Sequence, residues 1–290
     1  MGNKNDYEII QRGGQRDQLG EGALWSPRHH AVFWVDILEH ALQRYSLRNG
    51  TVDRWVLPEK IGWVVERAHS PGFIAGFQSG FAELTLDPVA IRHIVDPEPQ
   101  FPGNRMNDAC VDTAGRLWAG TMDVEIQRNS GSLYRLDPDL RVSRMDTGYL
   151  VTNGPAFSRS QRHVYHNDTG RGLVYRFDLS PDGAITNKTT FLKFAPEDGV
   201  PDGMAVDSEG YLWIAHWGGA RVSRFDPDGQ LDRSIALPAT QITNVVFAGD
   251  QLDRMFVTSA AVDRGGEEFA GSLFEIDPGV RGLPPNYFGG

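Results

Sequence analysis

The sequence is poor in three features, and each shortage excludes a class of protein. Cys110 is the single cysteine among 290 residues, so no disulfide can form within the chain. No stretch reaches the ~18 uninterrupted apolar residues that a transmembrane helix needs. Long segments with helical periodicity are also scarce. We therefore expect neither a disulfide scaffold, nor a membrane protein, nor a helical bundle.

Positive charge is in short supply. Lys and Arg number 28 against 38 Asp and Glu, which gives a formal net charge of −10. Nucleic acids and anionic membrane surfaces bind basic patches, so we expect neither as a partner. The N-terminal string MGNKNDYEII lacks the apolar core of a signal peptide. We therefore expect a cytoplasmic protein that is a monomer or a weak homo-oligomer.

What the sequence does contain is a repeat of strand-like segments. Short runs rich in aromatic and β-branched residues, such as VFWVD, LWAGT and LWIAH, recur along the chain. Their prominent apolar residues are spaced by about 40 to 48 positions and are Trp34, Ile74, Trp118, Tyr165, Trp213 and Phe256. This spacing is typical of the four-stranded blades of a β-propeller.

A second strand-like segment follows each of the first. These segments begin at Leu42, Phe81, Leu133, Leu173, Val222 and Leu273. Several end in Asp-Pro or near Asp-Gly, which are turn signals. The repeated pair predicts an all-β fold, a six-bladed β-propeller in one domain over residues 1–290, whereas two packed sandwiches fit the period less well. YEII at Tyr7 is predicted to add the outer strand of the last blade and to close the ring.

A further strand precedes each aromatic strand and is predicted to be the innermost of its blade. Four positions before the last large apolar residue of these strands stand Glu21, Ile61, Asn107, Asn153, Asp202 and Thr243. Equivalent positions in a propeller form a ring around its central channel. We therefore expect these side chains to converge at one mouth of the channel, where binding sites are common.

Turn chemistry is the alternative interpretation of this ring, because Asn-Gly and Asp-Gly are strong turn signals. It does not explain Glu21, since Glu is not a turn former, nor the lack of Lys and Arg at this position in every blade. Converging carboxylates repel one another unless a cation neutralises them. Oxygen ligands suit Ca²⁺, Mg²⁺ or Mn²⁺ best, and Zn²⁺ or Fe²⁺ less well. We therefore predict one divalent metal ion as the cofactor.

The same residues lie in motifs that resemble those of the gluconolactonase family, which includes regucalcin (senescence marker protein 30). The motifs are LGEGALW, NRMNDACVDTAGRLWAGTM, TNGPAF, PDGMAVDSEGYLWIAHWGG and AGSLFEI, and the resemblance runs from about Leu19 onwards. It implies a six-bladed propeller with one divalent cation in the central channel. It also implies hydrolysis of sugar lactones.

Residue by residue, the resemblance implies that Glu21, Asn153 and Asp202 are the metal ligands. Asn107 matches the asparagine of the family's R-x-N-D motif, which faces the substrate or a metal-bound water. Arg105 matches the arginine of that motif, which is expected to contact sugar hydroxyls or the lactone carbonyl.

Two further roles follow from the resemblance with alternatives open. An acidic residue after GTM contacts substrate in some members, and in GTMDVE this is Glu125, with Asp123 as a rival. Asp202 is the candidate general base because it is expected beside the metal and the attacking water. A metal-bound carboxylate is a weak base, so Asp108 or a second water is a candidate to share this role at the substrate site.

Three functions compete at this stage. The first is metal-dependent hydrolysis of an aldonolactone to its aldonic acid, with the metal as Lewis acid and water activator. The second is another propeller esterase, such as a phosphotriesterase, and the third is a non-catalytic cation-binding protein. Arg105 and Asn107 favour the first, because a hydroxyl-rich substrate needs fixed polar partners. The lack of a G-x-S-x-G string argues against a serine esterase of the lipase type.

Overall fold

The strands form six separate four-stranded antiparallel sheets, which confirms the all-β, six-bladed β-propeller. The structure is a computed structural model that describes residues 7–10 and 15–290. From the innermost strand outwards, the first three blades are β2 (Gly20–Ser26), β3 (Ala31–Asp36), β4 (Ala41–Ser46) and β5 (Val52–Val56); β6 (Ile61–Glu66), β7 (Phe73–Phe77), β8 (Gly80–Leu86) and β9 (Val89–Val95); and β10 (Asn104–Val111), β11 (Leu117–Asp123), β12 (Gly131–Leu136) and β13 (Val142–Tyr149).

The last blade joins the two ends of the chain. The remaining blades are β14 (Thr152–Phe157), β15 (His163–Asp168), β16 (Leu173–Leu179) and β17 (Ile185–Lys193); β18 (Val200–Val206), β19 (Leu212–Trp217), β20 (Arg221–Phe225) and β21 (Leu231–Ala236); and β22 (Ile242–Ala248), β23 (Arg254–Ser259), β24 (Phe274–Ile276) and β1 (Tyr7–Ile9). The pairing of Tyr7 with Ile276 confirms that YEII supplies the outer strand.

Helical structure is limited to two single-turn 3-10 helices, Thr169–Arg171 and Pro196–Asp198, in the ranges that the structure describes. No helix in those ranges is long and apolar enough to cross a membrane.

Burial decreases from the inside of each blade to the outside. Every residue of β3 and β11 is buried, whereas β9 and β21 are largely exposed. Neighbouring blades cover both faces of the inner strands, so these strands read as continuous apolar runs instead of alternating ones. The aromatic residues that mark the repeat belong to this core, since Trp34, Trp118 and Trp213 are all fully buried.

Two blades share an aspartate turn that explains the recurring string D-x-x-G-x-L-W. Asp207 directly follows its innermost strand, and its carboxylate accepts hydrogen bonds from the backbone N–H groups of Glu209 and Tyr211. Its other oxygen accepts a hydrogen bond from the Trp213 indole at 2.9 Å. Asp112 makes the equivalent bond to the indole of Trp118 at 3.0 Å. One carboxylate thus closes the turn and satisfies a buried indole.

Asp207→Ala is expected to lower the free energy of unfolding by about 3 kcal/mol, because it leaves Trp213 and the buried Arg224 without their shared acceptor. Asp226→Ala is the matched control, since Asp226 closes a surface turn with two backbone bonds only. Its expected cost is about 1 kcal/mol. Urea unfolding curves of both variants test the difference, and equal costs would contradict the role of the buried carboxylate.

The C-terminal segment covers the end of the channel opposite the ring of polar residues. Phe288 is fully buried and exchanges backbone hydrogen bonds with Glu66 and Ala68. The side-chain amide of Asn286 donates to the carbonyl oxygen of Val111 at the far end of an innermost strand. The opposite mouth, where the innermost strands begin, is therefore the end at which the ring residues are found.

Candidate functional site

Every innermost strand loses its pairing register close to its first residues. The shifts lie between Glu21 and Leu24, Ile61 and Trp63, Met106 and Ala109, Asn153 and Ala156, Pro201 and Met204, and Ile242 and Val245. A bulge bends its strand and re-aims the side chains within it. The six ring positions predicted from the sequence lie in or beside these bulges.

The residue after each ring position lies close to the neighbouring blade. Four blades have glycine here, at Gly22, Gly62, Gly154 and Gly203. A Cβ at Gly203 would lie 2.4 Å from the side chain of Asn244, and Gly22 has a φ of 57°, which favours glycine. The other two blades have Asp108 and Asn244 instead, and these side chains join the site.

The innermost strands of all six blades line a central cavity of about 200 Å³. Asp108 and Asn244 contribute to its wall, together with apolar residues such as Trp63 and Met204. Leu283 and Pro284 of the C-terminal segment line it as well. The polar ring therefore lies at the edge of a narrow, largely apolar channel, where charge is poorly solvated.

Three carboxyl groups gather in this setting. Glu21, Asp108 and Asp202 are only 4%, 6% and 3% exposed. The carboxyl groups of Glu21 and Asp202 lie within hydrogen-bonding reach of each other. The Asp202 Oδ1 atom is buried and has no hydrogen-bond partner. An unpartnered buried carboxylate oxygen calls for a cation or a proton donor.

Burial raises the pKa of all three carboxyl groups, and a neighbouring carboxylate adds to the shift for Glu21 and Asp202. Burial, and then the charge of Asp108, raises the pKa of Glu21 to about 8. Burial raises the pKa of Asp108 to about 6. Burial, followed by the charges of Glu21 and Asp108, raises the pKa of Asp202 well above its ordinary value. The metal-free cluster therefore retains protons near neutral pH, and a bound cation would displace them.

The predicted amide and guanidinium side chains lie next to these carboxyl groups. Asn107 donates to the side-chain oxygen of Asn153 at 2.9 Å and accepts a hydrogen bond from Arg105 Nη1. Burial lowers the pKa of Arg105 to about 10, while attraction to Glu21 and Asp202 opposes this shift. A buried guanidinium that faces two carboxyl groups is held in position on the channel side of its strand.

The two remaining ring positions do not carry charge. Ile61 is a fully buried apolar residue. The hydroxyl of Thr243 donates to the carbonyl oxygen of Gly20. Glu21, Asn107, Asn153 and Asp202 are thus the ring positions with carboxyl or amide side chains, and Ile61 and Thr243 complete the ring.

Asn244 is a site residue that the sequence analysis missed. Its Nδ2 atom donates to Glu21 Oε2 at 3.2 Å, and its side chain also hydrogen-bonds the carboxylate of Asp108. Its Oδ1 atom accepts a hydrogen bond from the Val245 backbone, so the amide orientation is determined. The signal that could have found it is its register, because it stands one residue after the ring position of its blade, as Asp108 does.

A second layer of hydrogen bonds supports Asn153 and Asp202 of the ring. Asn153 Nδ2 donates to Thr169 Oγ1 at 2.9 Å, and this hydroxyl donates to the carbonyl oxygen of Pro201 at 2.7 Å. Asn167, which pairs with Asn153, donates to the carbonyl oxygen of Asp202. These contacts link the innermost strands of the fourth and fifth blades, and the sequence analysis did not identify them.

The two acidic candidates after GTM occupy different environments. Asp123 is buried, and its carboxylate accepts hydrogen bonds from Arg128 Nη2 at 2.7 Å and from the Gln127 backbone at 3.0 Å. The hydrogen bond from Arg128 is the main reason that the pKa of Asp123 falls to about 2. Glu125 is exposed on the turn that these bonds hold. Asp123 is committed to the turn, so Glu125 is the freer of the two to meet a ligand.

The two buried histidines, His166 and His216, are held by ring packing and a backbone hydrogen bond. His166 is fully buried, packs edge-on against Tyr149 at 4.8 Å, and has a pKa lowered to about 3 by burial. His216 forms a 2.8 Å hydrogen bond through Nδ1 to the carbonyl oxygen of Asp198, and burial lowers its pKa to about 4. Both rings are neutral at physiological pH, as packing residues are.

The residues of the ring fit a divalent cation by their chemistry. Among the described residues, no group of three His, Cys, Asp or Glu side chains is arranged to hold a metal ion. The predicted set has two carboxylates and one amide, so it is not a cluster of that kind. The unpartnered Asp202 oxygen and the raised pKa values of Glu21 and Asp202 are the observations that suit a hard cation.

Similar proteins share the whole of this architecture. The chain is 36% identical over 282 residues to the 6-deoxy-6-sulfogluconolactonase of Pseudomonas putida, covering 95% of this chain and 97% of that protein. It is 33% identical to the pentonolactonase XacC of Haloferax volcanii, covering 92% of this chain and 93% of the relative.

A solved structure and a family profile agree with these relatives. The structure of regucalcin, a calcium-binding protein from Agrobacterium tumefaciens, superimposes with a TM-score of 0.90 at 26% identity and covers 97% of this chain and 96% of its own. The sequence profile of the SMP-30/Gluconolactonase/LRE-like region matches residues 19–261. The chain therefore belongs to the SMP-30/gluconolactonase/LRE-like family.

Proposed function

We propose that this protein is a metal-dependent hydrolase that opens a sugar lactone to its aldonic acid. The observation that carries the proposal is the buried pair of Glu21 and Asp202, whose carboxyl groups lie within hydrogen-bonding reach of each other, with Asp202 Oδ1 lacking a partner. The names of the relatives support the reaction, because two of them are lactonases matched over at least 92% of this chain. The calcium-binding relative supports the metal.

Glu21, Asn153 and Asp202 would hold the cation, with oxygen atoms as ligands. When bound, a divalent cation polarises an ester carbonyl and lowers the pKa of water. The ligand types favour Ca²⁺, Mg²⁺ or Mn²⁺ over Zn²⁺ or Fe²⁺. Asn107 and Asn244 would orient the ligands, since they hydrogen-bond Asn153 and Glu21 respectively.

Side chains of this protein would supply proton transfer and substrate orientation. Asp202 would take a proton from the attacking water, because its buried Oδ1 atom has no hydrogen-bond partner. Asp108, with both oxygens bonded to the Ala109 and Gly154 backbone, assists at the same mouth. Arg105 and Asn107 orient the hydroxyl-rich substrate, and Glu125 meets it from the exposed turn.

A substrate panel tests the proposal. Purified protein is incubated with xylono-, arabinono-, galactono- and gluconolactone and with a phosphotriester, and acid release is followed with and without added divalent metal. We expect metal-dependent acceleration over spontaneous hydrolysis for at least one aldonolactone. Acceleration of phosphotriester hydrolysis alone would show that the protein is another kind of esterase and not a lactonase. Metal binding without turnover of any substrate would leave only a cation-binding protein.

Asn244→Ala is expected to weaken metal affinity by about 10-fold, because Glu21 loses the amide that orients it. Asn286→Ala is the matched control, as this asparagine donates only to a backbone carbonyl at the far end of the channel. Calorimetric titration of each metal-free variant with Ca²⁺ and Mn²⁺ measures the effect. Equal affinities in the two variants would remove Asn244 from the metal site.

A further inference from the structure

A second cavity lies on the same face of the propeller as the ring. It has a volume of about 350 Å³ and is formed between the second and third blades. Its walls come from the segment before β6, the turn between β7 and β8, the loop before β10 and the first residues of β10. All of these segments lie at the end of the sheets where the innermost strands begin.

Arg105 joins this cavity to the ring. Its side chain is only 8% exposed, lines the cavity, and donates to Asn107 in the ring. It also attracts Glu21 and Asp202. A lactone whose carbonyl lies at the ring of polar side chains would therefore extend past Arg105. The end of the sugar farthest from its carbonyl would then enter the cavity.

The cavity wall is acidic and rich in hydrogen-bonding groups. Its carboxyl side chains are Glu59, Asp96 and Glu98, against the one guanidinium of Arg105. Glu98 is buried and accepts hydrogen bonds from Asn104 Nδ2 at 2.7 Å and from the hydroxyl of Tyr134 at 2.9 Å. A carboxylate has further acceptor positions, which suit sugar hydroxyls and repel an anion.

Four other arginines on this face have anionic partners already. Arg128, Arg171, Arg221 and Arg264 form ion pairs with Asp123, Asp168, Asp198 and Glu267. Lys60 stands next to Glu59 in the segment that precedes β6, and it is the cation that an anionic substrate would have to recruit. The carboxyl groups in the cavity outnumber the positive charge available to an anionic tail.

Resting on the proposed lactonase function, we propose that this cavity binds the hydroxylated end of the substrate farthest from the lactone carbonyl, which we call its tail, and selects neutral aldonolactones over lactones with an anionic tail. The acidic wall accepts hydrogen bonds from hydroxyl groups and disfavours a sulfonate or carboxylate by like-charge repulsion. The specificity-determining residues are Glu59 and Asp96, with Glu98 at the buried end.

The test compares two lactones that differ only at the tail. D-glucono-1,5-lactone has a hydroxyl at C6, and its 6-deoxy-6-sulfo analogue has a sulfonate. We expect kcat/KM for the sulfonated lactone to be at least about 30-fold lower, with the gap narrowing as salt is raised. The double variant Glu59→Gln, Asp96→Asn should reduce the ratio of the two kcat/KM values by at least about 5-fold.

Control variants distinguish the effect of charge in the cavity from the effect of the protein's net charge. Asp228→Asn combined with Asp250→Asn removes the same charge from turns on the opposite face, and it should leave the ratio unchanged. Lys60→Gln should leave the preference for the neutral lactone in place. Equal or faster hydrolysis of the sulfonated lactone by the wild type would overturn the inference and leave the lactonase proposal standing. If the protein hydrolyses neither of these lactones nor any other aldonolactone, both the inference and the lactonase proposal are wrong.

Discussion

Asp202→Asn is expected to lower kcat/KM for the preferred aldonolactone by at least about 1,000-fold. The change keeps the size of the side chain but removes its charge and its capacity to accept a proton. General-base catalysis contributes about 10²- to 10⁴-fold, and a lost metal ligand adds to this. Initial rates of acid release, measured with the wild type and the variant at matched concentration, give the ratio.

The same variant separates the two roles proposed for Asp202. If the carboxylate acts only as a ligand, a saturating concentration of metal should restore kcat. If it also accepts the proton, kcat should stay low when calorimetry shows the metal site to be full. Asp226→Asn is the control for a general effect of losing an aspartate. An Asp202→Asn protein with full activity would exclude both roles.

A divalent cation is expected to stabilise the protein, and to do so more strongly at pH 8 than at pH 6. The pKa of Glu21 is raised to about 8 from an ordinary value of 4.5. The native metal-free protein therefore binds protons more tightly than the unfolded chain, and its stability falls as the pH rises between these values. Metal binding removes this penalty, and it competes with fewer protons at pH 8.

The size of the effect follows from mass action. A metal concentration of 100 times Kd adds about 2.7 kcal/mol, which corresponds to a rise in Tm of about 5 °C for a chain of this length. Melting curves with EDTA and with Ca²⁺ or Mn²⁺ at both pH values measure it. The double variant Glu21→Gln, Asp202→Asn should show no rise. A rise of equal size in that variant would place the cation elsewhere.

The propeller could be predicted from the sequence because its repeat is a physical necessity. Each blade buries both faces of its inner strands against its neighbours, so aromatic residues such as Trp118 and Trp213 recur at the blade period. The closure by Tyr7 could be predicted for the same reason, since the last blade lacked a fourth strand. Propeller symmetry also allowed the ring that includes Glu21, Asn153 and Asp202 to be predicted from the repeat alone.

The contacts around the ring could not be predicted in this way, because they break the symmetry. Asn244 and Asp108 occupy positions where the other four blades have glycine, and Asp108 was expected at the site only because it belongs to the family's R-x-N-D motif. Their importance depends on bulges that turn them toward Glu21 and Gly154. Register shifts of one or two residues leave no periodic trace in a sequence. The choice between Asp123 and Glu125 likewise depended on a local bond to Arg128.

Activity as a function of bound metal tests the central claim most directly. The protein is stripped with EDTA, shown by elemental analysis to be metal-free, and titrated with Ca²⁺ or Mn²⁺ while acid release from its preferred aldonolactone is followed. We predict that hydrolysis falls to the spontaneous rate without metal and returns in proportion to metal, reaching a plateau at one equivalent. Full activity of the verified metal-free protein would contradict it.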